Sequence, residues 1–165
     1  MRLAIYPGTF DPVTKGHLDV LARACRMFDA VIVAVAPNIG KGPLFNLEER
    51  IALIKPNLVD YPRASIQPLD GLTVDFARSK GAVAIIRGLR AISDFEYEFQ
   101  LAQMNRHLDD SIETIFLMPS QDHFYTSSKL VKQVSLLDTR RLDKFVPANV
   151  LDALRQRPGI PEESA

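Results

Sequence analysis

The chain has 165 residues, 47% of them hydrophobic, and a formal net charge of +0. That suits one globular domain with a packed core, and it excludes attraction to nucleic acid or an anionic membrane by bulk charge, while leaving room for a local basic pocket. A single cysteine, Cys25, excludes an intrachain disulfide, no apolar run is long enough to span a bilayer, and no signal-peptide layout opens the sequence, so the expectation is a soluble cytoplasmic protein.

Arg2 to Tyr6 (RLAIY) reads as a short buried strand, followed by Pro7-Gly8-Thr9-Phe10-Asp11-Pro12, dense in turn formers. Thr14-Lys15-Gly16-His17 then opens a helix to about Phe28, whose Leu18, Leu21, Ala22, Cys25 and Phe28 repeat at helical spacing. Cys25 on that apolar face reads as an inert core thiol. A strand, a tight loop and a helix N-terminus make an anion site, because unpaired amides and the positive end of the helix dipole point outward there. Gly16 lets backbone approach a ligand, His17 can donate to a phosphate oxygen, and the hydroxyls of Thr9 and Thr14 are further donors.

Ala30 to Ala36 (AVIVAVA) predicts a strand covered on both faces, as in a parallel sheet. A loop carrying Gly40, Lys41 and Gly42 follows. Asn46 is placed to cap a helix from Leu47 to about Val59, bent or ended by Pro56. Ala64 to Leu69 predicts a weaker strand, and Leu72 to Lys80 a helix stopped by Gly81. Ala82 to Ile86 predicts another buried strand, closed by Arg87-Gly88-Leu89-Arg90. Asp94 to Leu108 predicts a long helix, Ile112 to Met118 a strand, Pro119 to Thr126 a loop, and Ser127 to Leu137 and Ala148 to Gln156 the last helices. The domain is expected to span residues 1–157, with 158–165 a frayed tail.

Strand and helix alternate about five times, which predicts a single-domain α/β fold: a doubly wound, five-stranded parallel sheet. Ligands in such sheets bind beyond the carboxyl ends of the strands, where strand order reverses. The chemically suggestive residues fall there: Thr9 after the first strand, Lys41 after the second, Arg87 to Arg90 after the fourth, Ser120 to Ser128 after the fifth. The long helix carries two apolar stripes, Phe95, Phe99 and Ala102, and Tyr97, Leu101, Met104 and Leu108. One stripe can face the sheet; the second is either sandwiched within the domain or covered by another subunit.

The P-loop pattern is absent, and Gly40-Lys41-Gly42 lacks the third glycine and the strand-to-helix setting of a dinucleotide site. His17, His107 and His123 have no metal-ligand spacing, so no protein-held metal is expected. Each residue also has a plainer reading: Ser127 and Ser128 as helix caps, Glu98 in the favourable half of a helix dipole or as a nucleotide acceptor, Arg87 and Arg90 as surface arginines. Gly88 directly after a buried strand favours phosphate for the two arginines, whose forks match its geometry.

Tyr6-Pro7-Gly8-Thr9-Phe10-Asp11-Pro12 with Thr14-Lys15-Gly16-His17 resembles the signature of the (T/H)xGH nucleotidylyltransferases, a Rossmann-like fold. Ile86-Arg87-Gly88-Leu89-Arg90, Asp94-Phe95-Glu96-Tyr97-Glu98, Met104-Asn105-Arg106-His107-Leu108 and Phe116-Leu117-Met118-Pro119-Ser120 resemble, within it, the pantetheine-phosphate adenylyltransferase family. The resemblance implies transfer of AMP from ATP to 4′-phosphopantetheine, giving dephospho-coenzyme A and pyrophosphate. It implies His17, Lys41 and Arg90 as catalytic groups, and Thr9, Lys41, Thr73 and Arg87 as holders of the acceptor. It implies an ATP site of Thr9, Phe10, His17, Gly88, Leu89, Arg90, Glu98, His123, Phe124, Tyr125, Thr126, Ser127, Ser128 and Lys129. Magnesium bound mainly through the ATP phosphates, and a homohexamer, follow from the same resemblance. Two positions depart from the family pattern. Lys129 stands where a serine or threonine is common, so a backbone contact there survives and a hydroxyl contact does not, and the lysine either meets the ATP triphosphate or is solvated. Thr73 replaces a larger apolar residue. The alternatives are a related nucleotidylyltransferase with another acceptor, or a non-catalytic adenine-nucleotide-binding regulator.

Overall fold

The computed structural model describes residues 1–37, 42–89, 92–123 and 126–157, with 92–94 described by backbone alone. Five parallel strands lie in the order β3-β2-β1-β4-β5, with β1 Leu3–Gly8, β2 Ala30–Val35, β3 Ala64–Pro68, β4 Ala84–Gly88 and β5 Glu113–Leu117. The chain steps outward from β1 to β2 and β3, then returns to the other side of β1 for β4 and β5. The reversal between β1 and β4 is the switch point at which such sheets hold ligands.

Successive side chains of a strand point to opposite faces. In β1, Ala4 and Tyr6 therefore enter one core, with Val20, Leu21 and Ala24 of α1 (Lys15–Met27), while Ile5 enters the other, with Val74, Phe76 and Ala77 of α3 (Thr73–Ser79). The first core also takes Ile54 of α2 (Leu47–Ile54), Val131 of α5 (Ser128–Ser135) and Val150, Leu151 and Leu154 of α6 (Ala148–Arg155). Helices thus cover both faces, as the unbroken apolar strands predict.

Local signals set the ends. Asn46 caps α2 by accepting from the Glu49 amide at 2.8 Å, and Glu49 returns a contact to the Asn46 amide at 2.7 Å. Near Pro56 the helix tightens into a 3-10 turn over Lys55–Leu58 instead of continuing to Val59. Gly81 follows α3 at φ 69, the left-handed conformation that favours glycine. Cys25 is half-buried, and burial raises its thiol pKa, which fits an inert core thiol.

Two expectations need correction. Strand β4 runs through Arg87 and Gly88, which pair with Phe116 and Leu117, so Arg87 is a strand residue and not a loop residue. The apolar pattern stops at Ile86, but the backbone ladder continues while its neighbour continues. The second correction concerns α4 (Ile92–Leu108), which is not sandwiched within the domain. Phe95 meets Phe116 of β5 with ring centroids 6.4 Å apart, yet Phe95 and Phe99 of one stripe and Tyr97, Met104 and Leu108 of the other are all exposed. Among the described residues no helix is long and apolar enough to cross a membrane. The expected tail, 158–165, lies outside the described residues.

Candidate active site

A cleft of about 280 Å³ opens at the switch point, lined by the end of β1 and its loop, the start of α1, the end of β4, Glu98 of α4 and the segment entering α5. The β1 loop is shaped around Phe10. Its backbone sits at φ 47, and its ring lies so close to Gly8 that a Cβ there would stand 2.9 Å from it. The ring packs edge-on against Tyr6 at 5.4 Å and His17 at 5.0 Å. Phe10 is therefore a buried wedge setting the imidazole's tilt, while Thr9 beside it is exposed to the cleft.

His17 is built into the helix cap. The Thr14 amide donates to Nδ1 of His17 at 3.0 Å, and the Thr14 hydroxyl oxygen accepts from the His17 amide at 3.3 Å. This is a capping box with histidine in the place usually held by Glu or Gln. An amide N–H can only donate, so Nδ1 is the acceptor and the ring proton resides on Nε2. The helix end is less open to an anion than the sequence suggests. The Lys15 amide donates to the Phe145 carbonyl at 2.9 Å, the His17 amide is capped, and the Thr14 hydroxyl serves the cap. The imidazole, more than the free amides, is what this terminus presents.

Arg87 spans the switch point. Its Nε donates to Oε2 of Glu98 at 2.6 Å and its Nη2 to Oε1 at 2.5 Å, while Nη1 donates to the Pro7 carbonyl at 3.2 Å. Burial pulls the guanidinium pKa down, but the Glu98 hydrogen bonds and charge outweigh it and hold it above the ordinary arginine range. Three of the five N–H groups are used within the chain, leaving two for a ligand. Glu98, expected as a nucleotide acceptor or a dipole partner, lines the cleft and also pairs with the Arg87 fork.

At the far wall, the Ser127 hydroxyl oxygen accepts from the Leu130 amide at 3.0 Å and caps α5, and the Ser128 hydroxyl donates to the Pro12 carbonyl at 2.8 Å. Lys129 is exposed and has no ion-pair partner among the described residues. The Thr126 hydroxyl and Nδ1 of His123 are buried with no partner among the described residues.

Of the expected site residues, Thr9, Phe10, His17, Arg87, Gly88, Glu98, Thr126, Ser127, Ser128 and Lys129 come together around the cleft. Thr73, Leu89 and His123 do not line it. Lys41, Arg90, Phe124 and Tyr125 lie outside the described residues. Among the described residues no group of His, Cys, Asp and Glu is arranged to hold a metal ion. Sequence reasoning missed Asp11 and Arg50, which are buried against the β1 loop and the stems of its neighbours, and the half-buried Lys132, which pairs with Asp11. Asp11 sits inside the recognised motif, which was a usable signal; an arginine on an amphipathic helix and a lysine on another carry none.

Comparison with known proteins gives a consistent result. The cytidylyltransferase-like family model matches residues 5–134. A phosphopantetheine adenylyltransferase of Opitutus terrae is 56% identical, over 93% of this chain and 96% of its own. One from Anaeromyxobacter sp. strain K is 47% identical over 99% of both chains. Among solved structures, the nicotinic acid mononucleotide adenylyltransferase of Plasmodium falciparum superposes with a TM-score of 0.68 over 93% of this chain and 94% of its own, at 14% identity, a likeness of fold alone.

Proposed function

The chain belongs to the phosphopantetheine adenylyltransferases of the cytidylyltransferase-like family, and from that membership we propose how its cleft performs the reaction. The enzyme transfers AMP from ATP to 4′-phosphopantetheine in coenzyme A biosynthesis. An oxygen of the acceptor phosphate bonds to the α-phosphorus of ATP, the bond to the β-phosphate bridging oxygen breaks, and pyrophosphate leaves. A phosphate oxygen is already a nucleophile, so the protein has to align two anions and offset their charge.

Thr9, Arg87 and Lys41 hold the acceptor's phosphate, which takes up the two N–H groups that Arg87 does not spend on Glu98 and Pro7, while Thr73, which does not line the cleft, is assigned to a more distant part of the acceptor. Thr9, Phe10, His17, Gly88, Glu98 and residues 126–129 line the cleft that receives ATP, with Leu89, Arg90 and residues 123–125 as further contacts and Thr126 offering a buried hydroxyl that lacks a partner among the described residues. Ser127 and Ser128 contribute backbone more than hydroxyl, since both side chains are engaged. His17 donates from Nε2 to the α-phosphate as charge develops there. Lys41 and Arg90 neutralise the same charge. Because no group of His, Cys, Asp and Glu among the described residues is arranged to hold a metal ion, the ATP phosphates would be the main holders of magnesium, which would offset their charge. The exposed apolar residues of α4 support a homo-oligomer, a hexamer in this reading. The ATP-dependent reaction and the single, half-buried thiol support a cytoplasmic place of work.

The observation that carries this reading is the Nδ1 cap of His17, which sets the ring proton on Nε2 in a side chain that lines the same cleft as the Arg87 fork. Pyrophosphate release is expected with ATP and 4′-phosphopantetheine, and not with cytidylyl or nicotinamide-nucleotide acceptors. His17→Ala is expected to lower kcat by about 10²-fold or more, the scale of one lost preorganised donor. A variant with near-normal turnover removes His17 from the reaction.

A further inference from the structure

The roles above leave Asp11, Arg50 and Lys132 unused, although buried Asp11 and Arg50 and half-buried Lys132 form a polar joint behind the β1 loop. Asp11 is 1% exposed. It accepts from the Leu44 and Phe45 amides, each at 2.9 Å, and pairs with the Lys132 ammonium. Arg50, 2% exposed, donates from Nη1 to the Thr9 carbonyl at 2.6 Å and the Ala36 carbonyl at 2.8 Å, and from Nε to the Asn46 carbonyl at 3.2 Å.

Buried charges are a poor way to stabilise a fold, because well-packed apolar groups of the same volume do as well or better. Directional bonds do what apolar contacts cannot, which is to fix where a backbone group stands. The partners here bracket separate parts of the cleft. Thr9 belongs to the acceptor side. Ala36 and Leu44–Phe45 are the described stems on either side of the segment that carries Lys41. Lys132 lies one turn into α5, whose first residues, Ser128 and Lys129, line the nucleotide side. Asp11 is thus tied at once to a stem 34 residues away and to a helix 121 residues away.

We propose that Asp11, braced by Arg50 and Lys132, is a positioning residue for adenylyl transfer: the joint that sets the acceptor side of the cleft against the nucleotide side. In-line attack needs the reacting atoms about 3–3.5 Å apart, so a displaced half-site loses rate even when each half still binds its own ligand. This inference rests on assigning Thr9 and Lys41 to the acceptor and residues 126–129 to ATP.

Two variants test it. Asp11→Asn keeps shape but replaces one acceptor oxygen with a donor, so one tie breaks. Lys132→Gln cuts only the tie to α5, and with 30% side-chain exposure that position tolerates the change. Each is expected to lose about 10²-fold in kcat. The dissociation constants of 4′-phosphopantetheine and of a non-hydrolysable ATP analogue, each titrated alone, are expected to stay within about threefold of wild type. The double variant is expected to fall no further than the weaker single, because both cut one joint. Unchanged kcat in folded Asp11→Asn and Lys132→Gln overturns the proposal. So does a lowered melting temperature with kcat per folded molecule intact, which marks a merely structural role. His17→Ala separates the two levels: full turnover in that variant defeats the site reading itself, whereas an inactive His17→Ala beside fully active joint variants defeats only the joint.

Discussion

Arg87 and Glu98 show how one residue is prepared for a ligand by another. Glu98 occupies one edge of the guanidinium, so Arg87 meets an anion with its orientation set and its charge already half answered. Their side chains are 26% and 11% exposed, so this pair is largely but not wholly withdrawn from water. Breaking a fully enclosed pair typically costs 3–5 kcal/mol; here Glu98→Ala is expected to cost about 2–3 kcal/mol. That corresponds to a fall in Tm of roughly 4–12 °C for a domain of this size. Removing the carboxylate also leaves a buried cation for which the acceptor phosphate is the natural replacement. Added 4′-phosphopantetheine is therefore expected to raise the Tm of Glu98→Ala by more than it raises that of wild type. Equal shifts, read by differential scanning fluorimetry, would show that carboxylate and phosphate do not share Arg87.

At the scale of the element, α1 combines a structural and a chemical duty in one side chain, and substitution can separate them. Glutamine at the third helical position can return the contact to the Thr14 amide, because Gln belongs to the usual capping box. His17→Gln is thus expected to melt within about a degree of wild type, whereas His17→Ala loses a cap contact worth about 0.5–1 kcal/mol and melts roughly 1–4 °C lower. Both are expected to lose turnover alike. A His17→Gln enzyme with wild-type rate would mean that the cap, and not the imidazole donor, is what the reaction needs. The elements themselves were legible: β-branched runs gave the buried strands, Asn46 and Gly81 gave helix ends, and Pro56 gave a break. What sequence reading lost were features decided by partners far along the chain. Arg87 is strand because β5 continues beside it. Thr14 reads as a ligand donor until its hydroxyl is seen capping the helix, and nothing in the sequence around Glu98 shows the Arg87 fork 2.5 Å away. The joint at Asp11 depends on contacts with Phe45, 34 residues on, and with Lys132, 121 residues on. No local periodicity encodes such pairings.

The whole molecule presents one surface that the single chain leaves unfinished. Phe95, Tyr97, Phe99, Met104 and Leu108 stand along α4 with 46% to 63% of their surface exposed, beside Met118 at 60%. Lone exposed apolar residues are ordinary, but two exposed apolar stripes on one helix, Phe95 with Phe99 and Tyr97 with Met104 and Leu108, support a contact surface on it. The same helix carries Glu98, 9% exposed and turned inward to Arg87, between the outward Tyr97 and Phe99. A partner subunit packed on the outer face would therefore clamp the helix that holds Arg87 in place, so that assembly and site geometry become one property. Tyr97→Glu with Met104→Glu sets like charges on that face and opposes its burial. Light scattering is expected to show wild type as a multimer and this double variant as a monomer. Its Tm is expected to stay near that of wild type diluted until it too is monomeric, because neither side chain belongs to the core. The acceptor KM is expected to rise in the monomer, since α4 is no longer held from outside and the fork at Arg87 loosens with it. If the monomer forms and its acceptor KM is unchanged, the outer face serves assembly alone and the inner face keeps its geometry unaided.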